Sequence, residues 1–124
     1  MKTILLVDDD APMRTVLSKS LARAGYHVIE AGDGKEALKL FNESPTDLVV
    51  TDLIMPETEG VELISNLRRR HPPVSVIAIS GGGRNSPENY LAIAKALGAA
   101  EILAKPFLPE KLVAAVEIAL KQPS

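Results

Sequence analysis

The sequence predicts an α/β fold: an open, doubly wound parallel sheet built from five βα units. Three observations carry this. Short apolar runs alternate with apolar residues at helical spacing from end to end, which is the pattern of repeated βα units. The 124 residues suit a single domain, spanning 1–124, and are about half of what an eight-stranded barrel needs. Hydrophobic residues make up 46% and charged residues 24%, the balance of a globular chain with its own core.

The elements follow in order. Residues 3–7 (TILLV) read as a buried strand, followed by a helix with Met13, Val16, Leu17 and Leu21 on one face and Gly25 as its stop. Residues 27–31 form a second strand. The turn Gly32-Asp33-Gly34 leads into a helix in which Asp33 and Glu36 form a capping-box-like start and Ala37, Leu38 and Phe41 face inward. Residues 48–51 are the third strand. The next helix buries Val61, Ile64 and Leu67 and stops at His71-Pro72-Pro73, since proline lacks the donor a continuing helix needs. Residues 74–79 are the fourth strand. Ser86-Pro87 opens a helix through Tyr90, Ile93, Ala94 and Leu97 to Gly98. A short fifth strand covers 102–104. The last helix starts near Pro109, buries Leu112, Val113, Val116 and Leu120, and stops at Gln122-Pro123.

Composition removes several classes of function. The chain has no Cys, which excludes disulfide frameworks, thiol nucleophiles and zinc-thiolate sites. Aromatic residues are 3% of the chain and Trp is missing, so a platform for stacking bases has little to be built from. A net charge of −2 suggests no direct nucleic-acid binding. Charge is unevenly spread: residues 1–60 carry 6 basic and 11 acidic side chains, residues 61–124 carry 8 and 5. The apolar runs are too short for a signal-peptide core or a bilayer span, so a cytoplasmic location without membrane insertion is the expectation.

In an open α/β sheet, ligands bind outside the carboxyl ends of the strands. At those ends stand Asp8, Asp9 and Asp10 after the first strand, Asp52 after the third, Ser80 after the fourth and Lys105 after the fifth. Gathered carboxylates repel one another, and a hard divalent cation with oxygen ligands relieves them. Magnesium is the natural candidate, with Lys105 and Ser80 left to contact a phosphoryl group. Asp10 suits the cap of the first helix. Ser80 by itself is as readily a turn former as a ligand, and Lys105 by itself is an ordinary surface lysine; the constellation raises both.

These residues resemble the receiver domains of two-component response regulators. The resemblance covers the whole chain and rests on Leu6-Val7-Asp8-Asp9, on Asp52-Leu53-Ile54-Met55-Pro56 with Gly60 after it, on Ser80, and on Lys105-Pro106-Phe107. It implies a flavodoxin-like (βα)5 sandwich with strand order 2-1-3-4-5 and helices on both faces. It implies Asp52 as phosphoacceptor, and magnesium held by Asp8, Asp9, Asp52 and the backbone carbonyl of Ile54. Ser80, with Gly81 beside it, and Lys105 would bind phosphoryl oxygens, and the Lys105–Pro106 bond would be cis. The implied partners are a sensor histidine kinase or a histidine phosphotransfer protein and a downstream protein target, with a homodimer open. The chain would catalyse only its own phosphorylation and dephosphorylation.

Competing readings are an aspartyl-phosphate hydrolase, for which Pro12 stands where threonine belongs, and a receiver-like scaffold that never uses its phosphate. The ends favour a stand-alone receiver over a module of a larger regulator or hybrid kinase. The Gly81-Gly82-Gly83 loop matches no nucleotide-binding glycine pattern. Arg68-Arg69-Arg70, at a helix end where positive charge suits the dipole, reads as a solvated structural run. Ile102 stands where the family often carries an aromatic switch residue, so that switch is lost. Apolar Ile54 cannot hydrogen-bond an attacking water, which predicts slow self-dephosphorylation. Ile54→Asn is expected to hasten loss of the phosphoryl group from Asp52, followed as its decay rate; an unchanged or slower decay would contradict this.

Overall fold

The computed structural model describes residues 1–53, 59–70, 73–80, 92, 95–96 and 98–121. Five strands, β1 (Thr3–Val7), β2 (His27–Ala31), β3 (Leu48–Asp52), β4 (Ser75–Ser80) and β5 (Glu101–Ala104), form one parallel sheet in the order β2-β1-β3-β4-β5. Around it lie helices α1 (Ala11–Arg23), α2 (Gly34–Glu43), α3 (Glu59–Arg68) and the C-terminal helix (Pro109–Lys121). The strand order and the doubly wound class are those expected. Of the helix expected over 87–97, Ala92, Lys95 and Ala96 are described and are helical. Ile54, Gly81 with the glycine loop, His71, Pro72 and the Val61 side chain lie outside the described residues.

Alternation along each central strand explains the layers. Leu5 and Val7 of β1 point into a core with Ala37, Phe41, Val49, Leu63, Ile64, Leu67 and Val76, beneath α2 and α3. Ile4 and Leu6 point the other way, into a core with Leu17, Leu21, Val50, Ile77, Ile79, Leu112 and Val116, beneath α1 and the C-terminal helix. Strands covered on both faces need apolar side chains at every position, which is why TILLV is continuous rather than alternating. Leu63, not singled out from the sequence, is buried beside Ile64, while Val113 and Leu120 are partly buried, with Ala115 and Ala119 completing their helix's inner face.

Local signals set the helix ends. Asp10 caps α1, its side chain accepting from the Met13 N–H at 3.2 Å, and Gly25, at φ 101°, lets the chain leave the helix. Asp33 caps α2, its Oδ1 accepting from the Glu36 N–H at 2.7 Å. Glu36 reaches back one residue beyond the expected box: its Oε1 accepts from the Gly32 N–H at 2.9 Å. Val16 departs from expectation. It stands one position off the Met13–Leu17–Leu21 row, outside the stripe that meets the sheet, and is 49% exposed. Among the described residues no helix is long and apolar enough to cross a membrane.

Burial on both faces of β1 makes a stability prediction. Leu6→Ala is expected to lower the unfolding free energy by about 2–5 kcal/mol, whereas Val16→Ala should change it by less than about 0.5 kcal/mol. Urea denaturation of both variants checks the pair, and equal losses would contradict the placement of Val16.

Candidate functional site

Among the described residues, the buried acids stand at the carboxyl ends of the strands. Asp8 is still tied to the sheet, its N–H donating to the Ala31 carbonyl at 3.1 Å, and it is 1% exposed. Its Oδ1 accepts from the Asp10 N–H at 2.9 Å. Its Oδ2 is buried and, among the described residues, accepts no hydrogen bond. Asp9, one residue on, is exposed. Asp52 closes β3 and is 3% exposed. One oxygen from each of Asp8, Asp9 and Asp52 lies within 4.8 Å of the others.

The cation comes from the far side of β4. Lys105 follows β5, and its N–H donates to the Ser80 carbonyl at 2.7 Å, which fastens the end of β5 to the end of β4. From there its Nζ donates to Asp52 Oδ2 at 2.8 Å and stands 3.9 Å from Asp8 Oδ2. The former is a charge-assisted hydrogen bond; the latter is a longer Coulombic contact. The Lys105–Pro106 bond is cis. Ser80 is fully buried, and its Oγ has no hydrogen-bond partner among the described residues. In register Asp52 stands opposite Ile79, so Ser80 projects one residue further along the same edge.

Burial and charge act against each other here. Burial pushes the Asp8 carboxyl above its ordinary value; the Asp10 amide and Lys105 pull it down, and the charges of Asp52 and Asp9 push it further up. Burial by itself would depress the Lys105 ammonium. The hydrogen bond and charge of Asp52, with Asp8 and Asp10 behind them, outweigh that and raise it. One ammonium among three carboxylates leaves negative charge uncompensated, and hard oxygen donors with an unpartnered buried Oδ2 fit a divalent cation.

The structure thus brings Asp8, Asp9, Asp52 and Lys105 together, with Ser80 at the adjoining strand end. Ile102 is half-buried against the core beneath α2 and α3, opposite Ala78. Two neighbours escaped the sequence reading. Thr51, fully buried, donates its hydroxyl to the Asp52 carbonyl at 3.1 Å. Arg14 donates from Nη1 to the Asp8 carbonyl at 2.6 Å and from Nε to Glu30 Oε1 at 3.1 Å. Glu30 lies sixteen residues from the helical Arg14, on strand β2, so no local spacing announces the pair.

Residues 4–117 match the family model described as the response regulator receiver domain. The chain belongs to that family. The response regulator receiver protein CpdR of Brucella abortus is 36% identical over 122 residues, covering 94% of this receiver and 95% of its own length. The chemotaxis protein CheY of Thermotoga maritima is 34% identical over 116 residues, covering 93% and 94%. The receiver spans about half or less of other curated relatives, including 52% of the phosphate regulon transcriptional regulatory protein PhoB of Pseudomonas aeruginosa, at 33% identity over 98% of this chain, and 24% of the DNA-binding transcriptional regulator NtrC of Azospirillum brasilense, at 36% identity. The crystal structure of the receiver domain of NtrX from Brucella abortus superposes with a TM-score of 0.87 at 29% identity, over 97% of this chain and 99% of that one.

The buried Asp8 carboxyl makes a pH prediction for the metal-free receiver. Because the folded-state value is raised above the ordinary 3.8, the native state binds more protons than the unfolded one between the two. The contribution of Asp8 to stability therefore rises as pH falls through that window. Asp8→Asn is expected to stabilise the protein in EDTA at pH 7, since it removes a charge that burial disfavours. The gain should shrink as pH falls toward 3.8; urea midpoints at both pH values check it.

Proposed function

We propose that this receiver, over residues 1–124, accepts a phosphoryl group on Asp52 and passes the signal on by changing the surface it offers to a partner. The observation that carries the reading is the Lys105 ammonium 2.8 Å from Asp52 Oδ2, beside Asp8 and Asp9. A nearly buried carboxylate with a charged donor on one oxygen is oriented, and the same donor can follow charge onto an incoming phosphoryl group.

An Asp52 carboxylate oxygen attacks the phosphorus of a phosphohistidine presented by a sensor histidine kinase or a histidine phosphotransfer protein. The P–N bond breaks, the imidazole leaves, and Asp52 becomes an acyl phosphate. Lys105 neutralises phosphoryl oxygens as their charge grows. Asp8, Asp9, Asp52 and the Ile54 carbonyl would hold magnesium, which when bound supplies further charge neutralisation at those oxygens. The Ser80 hydroxyl, buried with no partner among the described residues, gains one in the acyl phosphate, and glycine as residue 81 is the residue type that least restricts the backbone after it. Turning Ser80 inward moves the ends of β4 and β5, joined through the Lys105 N–H and the Ser80 carbonyl. Ile102 on β5 and the cis Pro106 lie on that path, and the changed surface selects a downstream protein or a second copy. No separate substrate is turned over, and neither nucleic acid nor membrane is a direct partner.

Intact mass after incubation with a small phosphodonor tests this. One phosphoryl group is expected on the wild type, requiring magnesium and lost in Asp52→Asn. Lys105→Ala should slow its appearance by about 10²-fold or more. A folded wild type that binds magnesium and gains no mass favours a phosphorylation-independent scaffold; sustained turnover of a phosphate ester favours a phosphatase.

A further inference from the structure

The turn that carries Asp8 and Asp9 is fastened from outside the acid cluster. Arg14 stands on the first turn of α1, its N–H donating to the Asp10 carbonyl at 2.9 Å. Its side chain folds back beneath that turn. Nη1 donates to the Asp8 carbonyl at 2.6 Å, and Nε donates to Glu30 on β2 at 3.1 Å. One planar fork thus spans the end of β1, the start of α1 and the edge strand β2.

We infer that Arg14 is a positioning residue for the acidic pocket, setting through the Asp8 carbonyl and the Glu30 carboxylate the direction in which the Asp8 and Asp9 carboxylates meet a divalent cation. The inference rests on the function proposed above. The Asp8 carbonyl belongs to the peptide from which Asp9 departs, so holding that oxygen fixes the peptide plane. Asp9 is exposed, and its placement depends on that plane. Asp8 is then held at three points: its N–H on Ala31, its Oδ1 on the Asp10 N–H, and its carbonyl on Arg14. Glu30 aims the guanidinium and offsets its charge, so Arg14 adds little positive field to a pocket that must attract a cation. Lysine offers a point charge without the fork and cannot serve both acceptors in the same geometry. Groups that orient metal ligands in this way commonly change affinity by tenfold or more when removed.

A second arginine supplies the control. Arg68, at the end of α3, donates from Nη1 to the Val74 carbonyl at 3.2 Å, ahead of β4 and away from the acids. It too joins a helix to a strand by a guanidinium–carbonyl bond. Titration of the purified chain with Mg²⁺, read from the backbone amide shifts of Asp8, Asp9 and Asp10, gives the metal affinity; urea denaturation in EDTA gives the stability. Arg14→Gln is expected to weaken Mg²⁺ binding about tenfold or more, with Arg14→Lys recovering part of the loss. Arg68→Gln should lower stability and leave the affinity within twofold. Adding Glu30→Ala to Arg14→Gln should weaken binding no further. The inference is overturned if the Arg14 variants bind Mg²⁺ as the wild type does, or if Arg68→Gln weakens it as much. Should Arg14→Gln fail to fold, Arg14→Lys decides by the same reading. A wild type that takes up no Mg²⁺ overturns the proposed function itself, whereas firm wild-type binding unchanged in the Arg14 variants overturns this inference alone.

Discussion

Three carboxylates converge at one edge of the sheet, two of them almost out of contact with water, and a single ammonium stands among them. Crowding like charges in a poorly solvated place opposes folding, and Lys105 offsets only part of that opposition: it bonds Asp52 at 2.8 Å and reaches Asp8 only at 3.9 Å. The strand order makes this convergence possible. With β1 beside β3 and β4 beyond, the acids from two strands become neighbours, and the lysine after β5 reaches them across the end of β4. The Lys105 N–H on the Ser80 carbonyl makes that reach definite, since a long flexible side chain acts from a fixed root.

What the pocket takes from stability, the two cores supply. Every side chain from Ile4 to Val7 is fully buried, alternating between the two faces, and close packing on both sides leaves the strand ends little freedom. Asp8 gains from this directly. Its amide is still part of the β1–β2 pairing through Ala31, so its carboxylate projects from a rigid strand, whereas Asp9 lies just past the sheet and is exposed. The two acids, adjacent in sequence, therefore have different physical characters. Asp8 has its protonation governed by burial, and Asp9 has its position governed by the turn.

The arginines divide into site-building and scaffold-building uses of one chemistry. Arg14 and Arg68 both place a guanidinium on a backbone carbonyl next to a strand. Arg70 instead bonds the Asn42 side-chain oxygen and lies with its guanidinium 5.0 Å from the Phe41 ring centroid, joining α2 to the segment after α3. The run Arg68-Arg69-Arg70 looks in sequence like a solvated charge cluster at a helix end. In the fold only Arg69 of the three is exposed, and its two neighbours lie half-buried against the helices and strands they join.

Much was legible in the sequence because it was local. The βα alternation, the Asp10 and Asp33 caps and the Gly25 stop depend on residues within one turn of one another, and residues that follow strands gather at one edge once the sheet is parallel. Sequence order by itself therefore puts Asp8, Asp9, Asp52, Ser80 and Lys105 at one edge. Tertiary structure decided what depends on partners distant in the chain. It exposed Val16, sent Glu36 to the Gly32 amide, buried Asp8 while leaving Asp9 in water, put Lys105 closer to Asp52 than to Asp8, and set Arg14 between Asp8 and Glu30. The physical reason is range. Periodicity and capping are properties of a few neighbouring residues, whereas burial and the hydrogen bonds of long side chains exist only when separate elements have been packed.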